Sequence, residues 1–267
     1  MALTFCVANQ KGGVGKTTTA VNLSAALALL KQRVLLIDLD PQGNATTGSG
    51  FTKDSLTETI YPLLFGEATF EQVVLHCEEA GYDLLPANRE LAGAEVELVQ
   101  LSDRDERLKN ILKKQGDKYD FVIIDCPPSL SMLTINALCS AVGVIVPMQC
   151  EYFAMEGLTD LVGSMKRIQA AKNPELTLIG LLRVMFDPRV TLQQQVSEQL
   201  KEYFGDKVFK TVIPRNVRLA EAPSFGLPGV LYDKSSKGAQ AYQALGVEFL
   251  KRMKKYKKSL KEKKDGR

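Results

Sequence analysis

The residues best suited to chemistry lie near the N-terminus, in the run Gln10-Lys11-Gly12-Gly13-Val14-Gly15-Lys16-Thr17-Thr18. Glycines let a loop curl until several backbone N–H groups point inward, and the N-terminus of a following helix adds partial positive charge. The Lys16 ammonium is placed to reach the β- and γ-phosphates of a nucleotide, and the Thr17 hydroxyl to ligate Mg²⁺. The run therefore predicts a loop that holds a nucleoside triphosphate.

The segments on either side of this loop match the strand and the helix that such a loop requires. Residues 3–8 form a short strand-like run, and residues 17–30 carry Ala, Leu and Val at helical spacing. The loop departs from the usual G-x-x-x-x-G-K-[ST] pattern because Gln10 stands where the first glycine is expected. A second lysine, Lys11, follows Gln10. The common form of the motif does not include this lysine.

Apolar runs alternate with helical patterns along the rest of the chain. Strands buried on both faces of a parallel sheet read as continuous Val, Ile and Leu runs, joined by right-handed helical crossovers. Such runs occupy residues 34–39, 82–85, 121–125, 144–148, 178–185 and 208–213. They predict an α/β fold with a doubly wound, mostly parallel sheet flanked by helices, which binds ligands at the carboxyl ends of its strands.

Two of the predicted strands end in acidic residues. Asp38 and Asp40 lie on the same side of an extended chain, and Asp125 follows four apolar residues in a Walker-B-like run. We expect Asp125 to contribute to a Mg²⁺ shell because a phosphate loop accompanies it. For Asp38 and Asp40, considered alone, capping of the next helix is an equal alternative.

Composition places the chain among globular proteins with one large core. Of the 267 residues, 45% are hydrophobic and 24% charged, and no run approaches the roughly 20 apolar residues of a membrane span. We therefore expect a cytoplasmic protein. The five cysteines form no C-x-x-C pair and are expected to be reduced core residues rather than zinc ligands or disulfides.

The single histidine, His76, lies in a polar stretch that we expect to be a surface helix. One imidazole without carboxylate or cysteine neighbours in sequence is a poor candidate for a metal ligand. Chemistry without histidine is typical of phosphoryl transfer, in which carboxylates, lysine and Mg²⁺ supply position and charge.

These motifs together resemble the deviant Walker A ATPases, and within them the ParA/Soj chromosome-partitioning proteins. The resemblance rests on residues 11–17, Asp38-Leu39-Asp40-Pro41-Gln42-Gly43-Asn44, Asp125-Cys126-Pro127-Pro128-Ser129, Gln149-Cys150-Glu151-Tyr152 and residues 213–224. It extends from the first strand to about Leu250. We therefore expect a single P-loop ATPase domain over residues 1–250 and a basic C-terminal helix end or tail over residues 251–267.

The resemblance implies an ATPase that forms a sandwich dimer around ATP and Mg²⁺. Lys11 would cross to the phosphates of the partner, Lys16 would serve its own nucleotide, and Asp40 would orient the attacking water. The implied ATP contacts are Lys11, Gly12, Gly13, Val14, Gly15, Lys16, Thr17, Thr18, Met185, Pro214, Arg215 and Asn216, and the implied metal site is Thr17, Asp38 and Asp125. No N-K-x-D run is present to read guanine, which favours ATP.

The same resemblance implies nonspecific binding of double-stranded DNA and a ParB/Spo0J-type partner protein that stimulates hydrolysis. Arg189, Arg215 and Arg218 would belong to a basic surface that holds DNA through its phosphates. Any one of them could instead be an ordinary surface arginine. A protein with these partners would be cytoplasmic and associated with the nucleoid.

The C-terminal residues leave open a MinD-like, membrane-associated positioning ATPase. Residues 251–267 hold ten Lys and Arg against Glu262 and Asp265, so this tail carries +8 and the rest of the chain −5. Five apolar residues fall on one helical face: Phe249, Leu250, Met253, Tyr256 and Leu260. Such a face suits a membrane or the docking of a final helix. Because it thins out after Tyr256, we favour DNA over membrane.

Overall fold

One eight-stranded sheet organises residues 2–115 and 117–265, the part of the chain that the computed structural model describes. The strands are β1 (Leu3–Val7), β2 (Val34–Asp38), β3 (Leu75–Cys77), β4 (Tyr82–Leu85), β5 (Phe121–Asp125), β6 (Gly143–Met148), β7 (Thr177–Phe186) and β8 (Val208–Pro214). Their order is β3-β4-β2-β5-β1-β6-β7-β8, and every pairing is parallel except that of β3 with β4. The mostly parallel sheet predicted from sequence is confirmed.

Helices cover both faces of this sheet. They are α1 (Lys16–Leu29), α2 (Asn44–Gly48), α3 (Ile60–Phe65), α4 (Phe70–Val73), α5 (Leu91–Glu97), α6 (Arg107–Lys114), α7 (Met132–Ser140), α8 (Ala154–Ala171), α9 (Thr191–Phe204), α10 (Val217–Glu221), α11 (Gly229–Tyr232) and α12 (Lys237–Asp265). Leu23 of α1 and Phe249 of α12 are buried in one core cluster, whereas Leu133 of α7, Leu158 of α8 and Leu200 of α9 are buried in another. Both faces are therefore closed, which makes the sheet doubly wound.

The strand directions decide where the chemistry lies. β2 and β5 are buried along their whole length, and their register sets Asp38 beside Asp125. Because β1, β2 and β5 to β8 run parallel, the segments that follow them all lie at one edge of the sheet. The loop after β1 and both acidic strand ends therefore meet at this edge.

One short strand was missed, and with it the setting of His76. His76 lies in β3, an antiparallel edge strand, and its Nδ1 is 2.6 Å from Oδ1 of Asp83. The surface position is confirmed, since half of the side chain is exposed, but the predicted helix is wrong. A strand of three residues is too short to show periodicity, so its pairing with β4 is visible only in the fold.

The predicted apolar face of the C-terminal helix packs on the sheet. Phe249 and Met253 are buried, and Leu250 and Tyr256 pack against the same core cluster. This confirms the docking of a final helix. The side chain of Leu260 lies outside the described residues. Helix α12 is continuous through position 250, where the sequence suggested a boundary.

The same helix protects the edge of the sheet. The Glu248 carboxylate accepts hydrogen bonds from the backbone N–H groups of Lys210 and Thr211, both at 2.9 Å, and Arg252 donates to the carbonyl of Val208 at 2.8 Å. Burial alone would raise the pKa of Glu248, but these hydrogen bonds outweigh it and the pKa is lowered. The exposed backbone of β8 is thereby less able to pair with another strand.

All five cysteines are free and buried, as expected. Burial raises the pKa of Cys139 and of Cys150 to about 11, which keeps both as unreactive thiols near neutral pH. No helix among residues 2–115 and 117–265 combines the length and the apolar composition that crossing a membrane requires.

Candidate nucleotide-binding site

The loop between β1 and α1 has the backbone form that phosphate binding requires. Gly13 and Gly15 have φ angles of +70° and +73°, in the left-handed region that favours glycine, and Gly15 forms the N-cap of α1. A Cβ atom built on Gly12 or Gly13 would meet nothing within 4 Å. The loop thus opens onto free space at the N-terminus of a 14-residue helix, the usual setting for a bound phosphate.

Lys16 is the buried lysine of the loop. Only 7% of the residue is exposed, and its Nζ donates a hydrogen bond to the carbonyl oxygen of Lys11 at 3.0 Å. Burial lowers the pKa of Lys16, while the negative charges of Asp125 and Asp40 act in the opposite direction. The structure therefore brings Lys16 together with two of the predicted acids, as the sequence suggested.

Asp125 is a buried carboxylate without hydrogen bonds in the part of the chain that the structure describes. It is fully buried, and neither oxygen has a hydrogen-bond partner among the described residues. Burial first, and then repulsion from Asp38, raise the pKa of Asp125 well above its ordinary value. The Thr17 hydroxyl lies close enough to lower this pKa in part, although not in hydrogen-bonding geometry. A buried carboxylate left unsatisfied in this way fits a ligand to a cation or to its water shell.

The donor set fits Mg²⁺ in particular. Within the described part of the chain, no group of three or more His, Cys, Asp or Glu side chains is arranged to hold a metal ion. Mg²⁺ commonly takes only one or two carboxylates and completes its octahedron with phosphates and water. Thr17 and Asp125 could supply such a partial shell beside the phosphate loop. Their metal role stays a prediction.

Asp38 hydrogen-bonds the first turn of the next helix, which is the capping role that the sequence left open for it. Its Oδ2 accepts hydrogen bonds from both the backbone N–H and the hydroxyl of Thr46, each at 2.7 Å, in the first turn of α2. Burial raises the pKa of Asp38 to about 6 despite these bonds. Asp38 thus holds the start of α2 next to Asp125, and its metal role stays a prediction.

Asp40 is held at the edge of the sheet by a tight turn. Its Oδ1 accepts from the N–H of Gln42 at 2.9 Å, and its carbonyl accepts from the N–H of Gly43 at 2.8 Å. Gly43 has φ +60°, and a Cβ atom there would lie 2.7 Å from the carbonyl oxygen of Ala87. The turn therefore requires glycine, and it places the carboxylate of Asp40 where its negative charge acts on the Lys16 ammonium.

The two segments predicted to flank adenine lie on neighbouring strands. Met185 has φ +50°, uncommon for a residue other than glycine, and its Sδ is 3.3 Å from Nε2 of Gln149. Gln149 also donates to the carbonyl of Gly13 at 3.1 Å, so Met185 lies next to the phosphate loop. Pro214 pairs with Phe186 of β7. Contacts of adenine with Met185, Pro214, Arg215 and Asn216 stay a prediction.

The three arginines predicted to contact DNA lie after β7 and β8. Arg189 forms an ion pair with Asp187 at 2.7 Å, Arg218 forms one with Glu221 at 2.9 Å, and Arg215 is exposed. Arg218 also lies 3.5 Å from Oδ2 of Asp233, which follows α11. These acids do not remove the arginines from solvent, since the side chains of Arg189 and Arg218 are 87% and 53% exposed.

Glu151 and Gln149 contact the phosphate loop, although no pattern in the sequence gives either residue a role. Nζ of Lys11 lies 2.5 Å from Oε2 of Glu151, and Gln149 contacts the loop at Gly13. The only sequence signal was their presence in a segment shared with the family, since Lys11 and Glu151 are 140 positions apart.

The unsatisfied charge of Asp125 leads to a prediction on stability. We expect Asp125→Asn, without nucleotide or Mg²⁺, to raise the free energy of unfolding near neutral pH by roughly 1–3 kcal/mol, because the amide carries no charge to leave buried without a hydrogen-bond partner. The folded pKa of Asp125 lies above its unfolded value, so the native carboxyl binds its proton more tightly. Parent stability therefore falls as the pH rises between these two values. The gain should shrink in acid.

Urea unfolding at about pH 8 and about pH 5 measures this difference. Asp120→Asn is the matched control, because the hydrogen bond from Arg33 lowers the pKa of Asp120 and its neutralisation should destabilise the protein. An Asp125→Asn protein less stable than its parent at both pH values would contradict the prediction.

Comparisons with known proteins agree with this geometry. A family model described as an AAA domain matches residues 2–178. The sporulation initiation inhibitor protein Soj of Bacillus subtilis is 49% identical over 248 residues, which cover 93% of this chain and 98% of that protein. The chromosome partitioning protein ParA of Myxococcus xanthus is 49% identical over 249 residues, 93% of this chain and 88% of that protein.

A solved structure extends the likeness to a nucleotide complex. The structure of cobyrinic acid a,c-diamide synthase from Mycobacterium smegmatis, with a bound ATP analog and magnesium, has a TM-score of 0.84 and 37% sequence identity. The alignment covers 95% of this chain and 96% of that one.

Proposed function

This chain belongs to the ParA/Soj family of chromosome-partitioning ATPases, and from this premise we propose that it is an ATP-driven DNA-partition switch. ATP and Mg²⁺ bind at the phosphate loop and drive formation of a sandwich dimer. The dimer binds double-stranded DNA without regard to sequence, and a ParB/Spo0J-type partner stimulates hydrolysis and release. The observation that carries the proposal is the cluster of Lys16, Asp40 and the unsatisfied Asp125 beside an open phosphate loop.

The side chains of this cluster divide the work of phosphoryl transfer. Lys16 offsets the charge of the β- and γ-phosphates from within the loop, and Asp40, held by its turn, orients the water for attack in line with the leaving oxygen. Mg²⁺, when bound, supplies further neutralisation of the phosphate oxygens. Asp125 and Thr17 would hold the ion and its water shell, and Asp38 would support them through the start of α2.

Lys11 has a different position, which supports a role across a dimer interface. Its side chain is 55% exposed, in contrast to the buried Lys16 of the same loop. An exposed cation beside one nucleotide site can enter the site of a facing subunit and neutralise charge there, as an arginine finger does. Gly12, next in the chain, adds no side chain to the facing surface.

Binding to DNA is tested through the exposed arginines. We expect Arg218→Glu to weaken ATP-dependent binding similarly on unrelated DNA sequences. We also expect it to lower the slope of log affinity against log salt by about 0.9 for each DNA phosphate that the variant no longer neutralises. Fluorescence anisotropy with ATP, with ADP and without nucleotide, over a salt series, measures both effects.

Lys113→Glu is the control for this experiment. Lys113 is exposed near the end of α6, which leads into the amino end of β5, whereas Arg218 follows the carboxyl end of β8. Lys113→Glu changes the charge by the same amount. Thermal melting checks that both variants are folded. Equal losses in the two variants would mean that overall charge, rather than a surface at Arg218, sets the affinity.

The apolar face of the C-terminal helix, on which the MinD-like alternative rests, is packed against the core. Phe249, Leu250, Met253 and Tyr256 pack on the core, so they are not free to enter a membrane. We propose instead that residues 1–250 act as one ATPase domain, that residues 251–267 add positive charge, and that the protein resides in the cytoplasm on the nucleoid. ATP-dependent binding of the full chain to anionic liposomes would restore the alternative.

A further inference from the structure

The end of β6 and the segment that follows it, residues 147–151, contact the phosphate loop at three alternate positions. Asn9 donates from Nδ2 to the carbonyl of Pro147 at 2.8 Å, Gln149 donates to the carbonyl of Gly13 at 3.1 Å, and Lys11 forms an ion pair with Glu151 at 2.5 Å. Positions 9, 11 and 13 are thus each tied to residues 147–151. The conformation of the loop is therefore coupled to that of the segment leading into α8.

The contact with Glu151 differs from the other two because it holds the side chain of Lys11, which is also proposed to act on a partner's nucleotide. Under the proposed function, the ammonium of Lys11 must reach the phosphates of a facing subunit. In this structure it lies against a carboxylate of its own chain, with 55% of the Lys11 side chain and 46% of the Glu151 side chain exposed. A carboxylate kept in contact with that ammonium would stand close to a polyphosphate of the same sign, which is unfavourable.

The neighbours of Glu151 place this ion pair on a surface that can meet a second copy. Tyr152 and Phe153 follow directly, are 76% and 71% exposed, and form an edge-to-face pair with ring centroids 5.1 Å apart. Adjacent exposed aromatic rings are typical of residues that become buried in an interface. Under two-fold symmetry, the same face of the partner would bring its own Lys11 and Glu151 to the contact.

We propose that Glu151 is a positioning residue that opposes dimerisation by holding Lys11 within its own chain. This inference rests on the proposed function, since it requires Lys11 to act on the nucleotide of a partner. Dimerisation exchanges the Lys11 to Glu151 ion pair for an interaction of Lys11 with phosphate. Without the carboxylate there is no ion pair to break, and the dimer becomes tighter. Loss of an exposed ion pair of this kind should lower the dimer dissociation constant by roughly twofold to fivefold for each lysine.

The experiment compares dimer dissociation constants at saturating ATP, in an Asp40→Ala background that slows hydrolysis. Analytical ultracentrifugation should give a tighter dimer for Glu151→Gln than for its parent at low salt. The difference should shrink at about 1 M salt, where the Debye length is about 3 Å. Glu151→Asp, which keeps the charge, should stay near the parent. A merely structural role of Glu151 would not produce this dependence on charge and salt.

Glu156→Gln is the matched control. Glu156 is exposed in the first turn of α8 and loses the same charge without touching Lys11, so its dimer should stay near the parent. A Glu151→Gln dimer equal to or weaker than the parent dimer, or equal tightening by Glu156→Gln, overturns this inference and leaves the proposed function standing. If the Asp40→Ala parent fails to dimerise with ATP, the proposed function itself fails, and this inference with it.

Discussion

Lys16→Ala is expected to abolish ATP binding while leaving the protein folded. The substitution removes the buried ammonium that, under the proposed function, faces the β- and γ-phosphates. The loss of two hydrogen bonds to charged groups corresponds to a fall in affinity of at least about 100-fold. Folding should survive because the burial of this ammonium is unfavourable, as its lowered pKa shows. Isothermal titration of ATP into the variant, in the presence of Mg²⁺, measures the effect.

Lys11→Ala separates the two lysines of the loop. Lys11 is exposed and paired with Glu151, so a monomer that lacks it should bind ATP nearly as well as the parent. It should nevertheless fail to form the ATP-dependent dimer. Near-normal ATP affinity in a folded Lys16→Ala protein would mean that Lys16 is not the lysine that binds the phosphates.

The second large effect concerns hydrolysis. We expect Asp40→Ala to retain ATP and to accumulate as a dimer, because the loop and the metal ligands remain while the water is no longer oriented. Loss of such a positioned group corresponds to a fall in rate of roughly 100-fold or more. Steady-state phosphate release measures the rate, and size-exclusion chromatography with ATP measures the dimer.

Asp40→Asn controls for local structure. The amide oxygen of asparagine can still accept from the N–H of Gln42, so the turn is kept while the carboxylate is lost. Both variants should therefore lose hydrolysis to a similar degree. A monomeric Asp40→Ala protein that turns over ATP at the parent rate would show that another group orients the water.

Much of the sheet and of the phosphate loop was visible in the sequence. Buried parallel strands read as continuous apolar runs, and the runs of β2 and β5, each five residues long and ending in an acid, are too short for helices and predict strands. The loop was visible because glycine is needed where the backbone takes φ angles such as +70° and +73°. These requirements are local, so a single sequence carries them.

Features that depend on contacts between distant segments cannot be read from the sequence. The three residues of β3 are a strand only because β4 pairs with them, and His76 was therefore assigned to a helix. The apolar face of α12 suits a membrane as well as a core, and its packing on the sheet selects the core. In both cases the local pattern is compatible with two environments, and the tertiary contact selects one.

The sequence by itself determined which groups are present at the site and on which strand ends they lie. Only the tertiary structure decided how they are satisfied: Asp38 is held by Thr46, Asp125 has no hydrogen-bond partner among the described residues, and Lys11 is paired with Glu151 from 140 positions away. The physical reason is that burial and charge act through distance in space. Two residues with the same acidic side chain, Asp38 and Asp125, thereby acquire different surroundings at adjacent positions of one sheet.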